Sequence, residues 1–209
     1  THGIHTWHKY HHHHKQMVKI FYCYLNKYIR HSILTYTQEQ AGFITSINEM
    51  VLECEMKPIT HAIIKKLHKD LVVISKDEKE IIADTGVKLQ QKTHQLYSGT
   101  IKFEDGSYRV IDTSKAEFIK EKFKGYKIGI FYKFVAELEM LKSVFGNELT
   151  TDLNEFNSTD KNIALQIVSG REGISLSKAD HLVFLNIDFS AVSYFQARDR
   201  LTTMERKEN

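Results

Sequence analysis

Lys127-Ile128-Gly129-Ile130-Phe131-Tyr132 decides the fold class. It is a continuous apolar run of strand length, and a strand with one wet face would instead alternate apolar with polar side chains. Phe134, Leu138, Leu141 and Phe145 then keep helical spacing until Gly146 ends the pattern. Ile163 to Val168 and His181 to Leu185 repeat the short apolar theme, and the segment after Ser190 is helical again. Strands buried on both faces and alternating with helices predict an α/β protein built on a parallel sheet flanked by helices.

Working upstream, Ser114-Lys115-Ala116-Glu117 has the spacing of a capping box and predicts a helix to about Phe123. Before it, Thr100 to Ile111 places Ile101, Phe103, Tyr108 and Val110 around Asp105-Gly106, which predicts a small β-hairpin insertion. A polar helix from about Thr85 to Tyr97 is expected to stop at Gly99, which suits a left-handed cap. Leu71 to Ser75 and Glu80 to Ala83 are short β-prone pieces around the charged turn Lys76 to Lys79. Pro58 suits a first helical position and opens a helix to about residue 71, with Ile59, Ile63, Leu67 and Leu71 on one face. Val51 to Met56 reads as a further short strand.

The chain has 209 residues, room for one domain plus an appendage and too few for two large domains. Hydrophobic residues at 42% and charged residues at 26% exclude collagen-like and wholly disordered classes. Seven of the twelve histidines lie within the first fourteen residues, so 1–32 is set apart as a His-rich basic extension and 33–209 as the folded body. The first 36 residues hold five basic groups and no acid, which leaves the rest, with 24 basic and 26 acidic residues, near −2. No broad positive field covers the body, so any nucleic-acid affinity there must come from a local arrangement of donors. Histidine is a common ligand for zinc and nickel, but no carboxylate or paired cysteine accompanies the tract, and no metal site is assigned. Cys23 and Cys54 cannot build a disulfide framework, and with no signal peptide legible the expected compartment is cytoplasmic, the host cytoplasm if the protein is viral. Lys19, Lys27 and Arg30 interrupt Met17 to Leu34 too often for a bilayer span, and no membrane partner is expected.

Chemistry concentrates toward the C-terminus. Ser169-Gly170-Arg171-Glu172-Gly173-Ile174-Ser175-Leu176 follows one strand, and Gln196-Ala197-Arg198-Asp199-Arg200 lies on the helix after the next. In an open parallel sheet, ligands bind beyond the carboxyl ends of the strands, where Ser169 to Gly173 would sit. Two glycines and a hydroxyl allow close approach of a phosphate; a plain tight turn has the same composition.

The order of these elements, over roughly Ile33 to Asn209, resembles the C-terminal motor lobe of superfamily-two helicases, nearest to Swi/Snf-like translocases and their bacteriophage relatives. Lys127 to Tyr132 with its helix resembles motif IV, Ser169 to Leu176 motif V, and Gln196 to Arg200 the Gln-Ala-x-Asp-Arg opening of motif VI. Tyr36-Thr37-Gln38-Glu39-Gln40, the Val51 strand and the Pro58 helix resemble the lead into that lobe. The resemblance implies a RecA-like lobe of an ATP-dependent helicase or translocase, acting on nucleic acid, with DNA the expected form. It implies Arg200 and Arg206 as catalytic arginines and Gly170, Arg171, Gly173, Gln196 and Asp199 as contacts to ATP. Tyr132, Lys133 and Ser169 would touch a nucleic-acid strand.

The sequence also departs from that pattern. Thr203 stands where the family has a second arginine, and Arg206 is the next one along. The chain has no Gly-x-x-x-x-Gly-Lys-Ser/Thr loop and no Asp-Glu-x-His or Asp-Glu-Ala-Asp run to hold Mg²⁺-ATP. The expectation is therefore a fragment or one lobe of a split enzyme, inactive alone, whose partner N-terminal lobe holds most of the ATP and Mg²⁺. The alternative is a non-catalytic α/β binding or scaffold module, with the glycine loop a turn and Arg200 in a structural ion pair. At single positions the plain readings are a solvent-facing Arg198, a packed or exposed His181, and a solvated helix face for Lys120, Lys122, Lys124 and Lys127.

Overall fold

Pro58 opens helix α1 (Pro58–Asp70), its fixed φ suiting a position whose N–H would have no helical partner. The computed structural model describes residues 48–167, 174–187 and 191–198, all within the unit Thr45–Asn209. The strand expected at Val51 to Met56 is not formed: the segment runs without a ladder partner among the described residues, with Val51 96% exposed. The face of α1 also differs from the apolar spacing. Thr60, Ile64 and Leu67 are buried, Ile59 is exposed, and Leu71 lies just past the helix with a left-handed φ of 60°. A polar contact explains the rotation, since Thr60 Oγ1 donates to Asp112 Oδ2 at 2.7 Å and turns its side inward.

Strands β1 (Val72–Ile74) and β2 (Glu80–Ile82) form an antiparallel hairpin, followed by α2 (Gly86–Tyr97), whose first turn is capped by Thr85 Oγ1 accepting from the Lys88 amide. Gly99 closes α2 at φ +86°, and a Cβ there would lie 2.0 Å from the Asp112 carbonyl oxygen, so only glycine fits. The second hairpin, β3 (Thr100–Lys102) with β4 (Tyr108–Val110), turns at Asp105-Gly106 as its sequence requires. Ile64, Leu67, Val73, Ile81, Leu96, Ile101 and Phe103 close one core between these pieces.

Helix α3 (Ser114–Lys122) starts where expected, but Ser114 is not its cap. Asp112 takes that role, Oδ1 accepting from the Ser114 amide at 2.9 Å and its hydroxyl at 2.6 Å. Glu117 instead accepts from the Thr113 hydroxyl. Asp112 outcompetes the serine because a carboxylate is the stronger acceptor at a helix start.

The rest is the α/β layer: β5 (Ile128–Tyr132), α4 (Val135–Phe145), a 3₁₀ turn (Gly146–Glu148), β6 (Leu149–Thr150), α5 (Leu153–Ser158), β7 (Asn162–Gln166), β8 (His181–Phe184) and α6 (Ala191–Arg198). The four strands are parallel, in the order β6-β7-β5-β8, with Gly129 opposite both Ile163 and Leu182. Their alternate side chains feed two cores. Ile128, Ile130, Ala164 and Leu185 pack with Ala116, Met140 and Leu141 of α3 and α4 on one face. Phe131, Ile163 and Ile167 pack with Phe156 of α5 and Ala197 of α6 on the other. This covering of both faces is what the apolar runs demand. On α6, Ala197 is buried, Phe195 is 48% exposed, and Tyr194 meets Phe184 at 5.0 Å between ring centroids.

Two of the lysines expected to be solvated are tied down. Lys120 Nζ donates to the Val144 carbonyl at 3.1 Å and pairs with Glu148 at 3.0 Å. Lys127 Nζ donates to the Phe156 and Thr159 carbonyls at 2.6 and 2.5 Å and lies over the Phe156 ring. Each places a cation against a helix end whose last carbonyls lack partners. No helix among the described residues is long and apolar enough to cross a membrane. Residues 1–47, including the His-rich segment, lie outside the described residues.

Candidate functional site

Three strand ends meet at the carboxyl edge of the sheet, where open parallel sheets bind ligands. Strand β5 delivers Tyr132 and Lys133 there, both half-buried, with Lys133 Nζ 5.3 Å from the centre of the Phe134 ring. Strand β7 ends at Gln166, whose Nε2 donates to the Lys133 carbonyl at 3.2 Å. Strand β8 is followed by Asn186, which is buried.

Glu137 joins them. It stands at the third position of α4, is fully buried, and accepts hydrogen bonds from three donors. The amides of Lys133 and Phe134 each donate to Oε2 at 2.7 Å, and Asn186 Nδ2 donates to Oε1 at 2.9 Å. Phe134 offers no acceptor in return, so only the glutamate half of a capping box is present. A buried carboxylate is tolerable only when its lone pairs are met, and here two elements meet them.

The surroundings are electrostatically tight. The ring of His94 of α2 meets Phe134 edge-on at 5.5 Å. Burial and then the Lys133 charge lower its pKa, against the opposing pull of Asn186 and Glu137. Lys115 is lowered chiefly by burial, with Glu137 opposing. Burial raises the Tyr132 hydroxyl, and the Glu137 charge adds to it. The Cys54 thiol is also raised, first by burial, which leaves it a poor nucleophile.

Of the residues singled out from sequence, Tyr132 and Lys133 lie together at this edge, and Gln196 is exposed on α6. Ser169, Gly170, Arg171, Gly173, Asp199, Arg200 and Arg206 lie outside the described residues. Arg198, expected to face solvent, is partly buried, pairs with Glu49 at 3.0 Å and lies over the Phe195 ring at 4.9 Å. Glu137, Asn186 and His94 were not legible as a group. A phenylalanine at the N-cap hides the glutamate from the usual capping pattern, and the other two arrive from distant segments.

A concavity of about 990 Å³ opens at the opposite edge, beside the amino ends of β5 and β7. Its charges serve the fold: Lys120 and Lys127 hold helix ends, and Asp180 accepts the Lys127 amide at 2.7 Å. Beside it His181 sits between Phe123 and Tyr126, at 5.3 and 4.9 Å. Nothing in this concavity converges on a ligand. Among the described residues no three His, Cys, Asp or Glu side chains gather in a way that could hold a metal ion. No protein-family model matches the chain, and no curated protein matches it.

Proposed function

We propose that this chain is the second, RecA-like motor lobe of an ATP-dependent nucleic-acid helicase or translocase. The observation that carries the reading is positional: the segment resembling motif IV is β5, that resembling motif V follows β7 in the chain, and that resembling motif VI begins after β8 on α6, whose described residues end at Arg198. In an α/β layer with this strand order the first two follow adjacent strand ends on the ligand-binding edge. Lys133, with Tyr132 and Ser169, would touch the strand's backbone. Arg200 would reach ATP phosphates, for which a permanently charged planar fork is suited. Gly170, Arg171, Gly173, Gln196 and Asp199 would line the nucleotide, and Arg206 would take the place vacated at Thr203. The sequence lacks the phosphate-binding loop and the acidic run that hold Mg²⁺-ATP, so the ion and most of the phosphate contacts are assigned to the other lobe.

The test is steady-state hydrolysis at saturating nucleic acid. The chain alone is expected to show no stimulated turnover, and joining it to a lobe with a phosphate-binding loop should produce it. In that two-lobe enzyme Arg200→Ala should lower the maximal rate by at least ~10³, about 4 kcal/mol of barrier. Arg206→Ala should lose less and Arg198→Ala almost nothing, because Arg198 already pairs with Glu49. Robust turnover by the purified chain alone, or Arg198→Ala as the most damaged variant, would sink the reading and favour the scaffold alternative.

A further inference from the structure

We infer that Glu137 is a positioning residue: its buried carboxylate sets the placement of Lys133 against the ends of β7 and β8, and so sets affinity for a nucleic-acid strand. This deepens the function proposed above and rests on it.

The geometry points to Lys133 as the position most closely held at this edge. Its amide donates to Glu137 Oε2 at 2.7 Å, and its carbonyl accepts from Gln166 of β7 at 3.2 Å. The next amide, Phe134, donates to the same carboxylate oxygen at 2.7 Å. The other oxygen is taken by Asn186, just past β8. The Lys133 peptide is thus fixed from both sides, by α4 and by β7, and the residue fixing it is itself fixed by the β8 end. A contact from α2 completes the enclosure, the His94 ring meeting that of Phe134 edge-on. A fully buried carboxylate is more than a helix start needs, since a serine or aspartate at the N-cap would do that work from the surface. What the buried form adds is a rigid link from one strand-end loop to another. Phosphate contacts depend on where a cation is held, and a shift of about 1 Å in a positioning group is enough to weaken them.

A carboxamide can accept at one oxygen only, so Glu137→Gln breaks one side of the link while keeping size and shape. The experiment measures fluorescence anisotropy of a labelled oligodeoxynucleotide of about 20 nucleotides, longer than one binding site, titrated with the full chain at low salt. Four proteins are compared: wild type, Lys133→Ala, Glu137→Gln and the double variant. If Glu137 acts through Lys133, Glu137→Gln should weaken binding about 5-fold, and adding it to Lys133→Ala should change little, within ~2-fold. Penalties that multiply, or a Glu137→Gln protein that binds like wild type, overturn the inference while leaving the motor-lobe reading in place. Wild-type binding with Lys133→Ala unaffected does the same. A wild-type chain that does not bind the oligonucleotide overturns the motor-lobe reading, and the inference with it. Should Glu137→Gln fail to fold by circular dichroism, Gln166→Leu replaces it in the same cycle. That variant removes the bond on the other side of the Lys133 peptide and is held to the same outcomes.

Discussion

Asp112 ties two helix starts to one carboxylate. Oδ2 accepts from the Lys57 amide and the Thr60 hydroxyl at the start of α1, and Oδ1 accepts from Ser114 at the start of α3. Burial alone would raise this carboxyl, yet the hydrogen bonds from Ser114, Thr60 and the Lys57 amide outweigh it and hold the pKa at about 2. A group whose folded pKa lies below its unfolded value stabilises the fold above the unfolded pKa and loses that contribution as pH falls. The window therefore runs from about pH 4 down through about pH 2, and the stabilisation at stake is about 2 kcal/mol. Asp112→Asn should lower stability by about 2 kcal/mol at pH 7 in urea melts, and the difference from wild type should shrink at the acid end of that window. An equal difference at pH 7 and at the acid limit would show that the charge is not what matters.

At the scale of elements, what can be read from the sequence depends on how local the deciding interaction is. The β5 run, the α4 spacing to Gly146 and the Asp105-Gly106 hairpin are visible because neighbours along the chain decide them. β6 and α5 escape notice, since a two-residue strand and a six-residue helix hold too few apolar positions to show a period. The face of α1 is misread because Asp112, distant from it in sequence, supplies the contact, whereas at the α3 cap the same carboxylate acts from only two residues before Ser114 and simply displaces the serine. The candidate site divides in the same way, with Tyr132 and Lys133 legible at a strand end and the Glu137 and Asn186 link assembled only in three dimensions. Lysines on the amino edge allow a test of this contrast. Lys127→Met should cost about 1–2 kcal/mol, because it strips a charged donor from the Phe156 and Thr159 carbonyls, whereas exposed Lys124→Met should stay within about 0.5 kcal/mol. Thermal melts of the two variants side by side decide it.

At the scale of the molecule, two kinds of construction stand in series along the chain. Residues from α1 to β4 close their core around two hairpins and a helix pair, each strand pairing with the next strand in sequence. The parallel layer cannot do this, because among the described residues its central strand β5 pairs with β7 and β8, which begin at Asn162 and His181. That strand order has a consequence in time. A chain made from its N-terminus exposes Ile128, Ile130 and Phe131 well before either partner strand exists, and closing such long loops is the slow part of folding. Pulsed hydrogen exchange during refolding should protect the amides of α2 and the β3–β4 hairpin first and those of β5 last. Simultaneous protection would mean that the sheet, not the hairpin layer, nucleates the fold. Until β7 arrives, the most apolar strand of the molecule is an open template for any neighbouring chain, so during synthesis the cell must keep such chains apart.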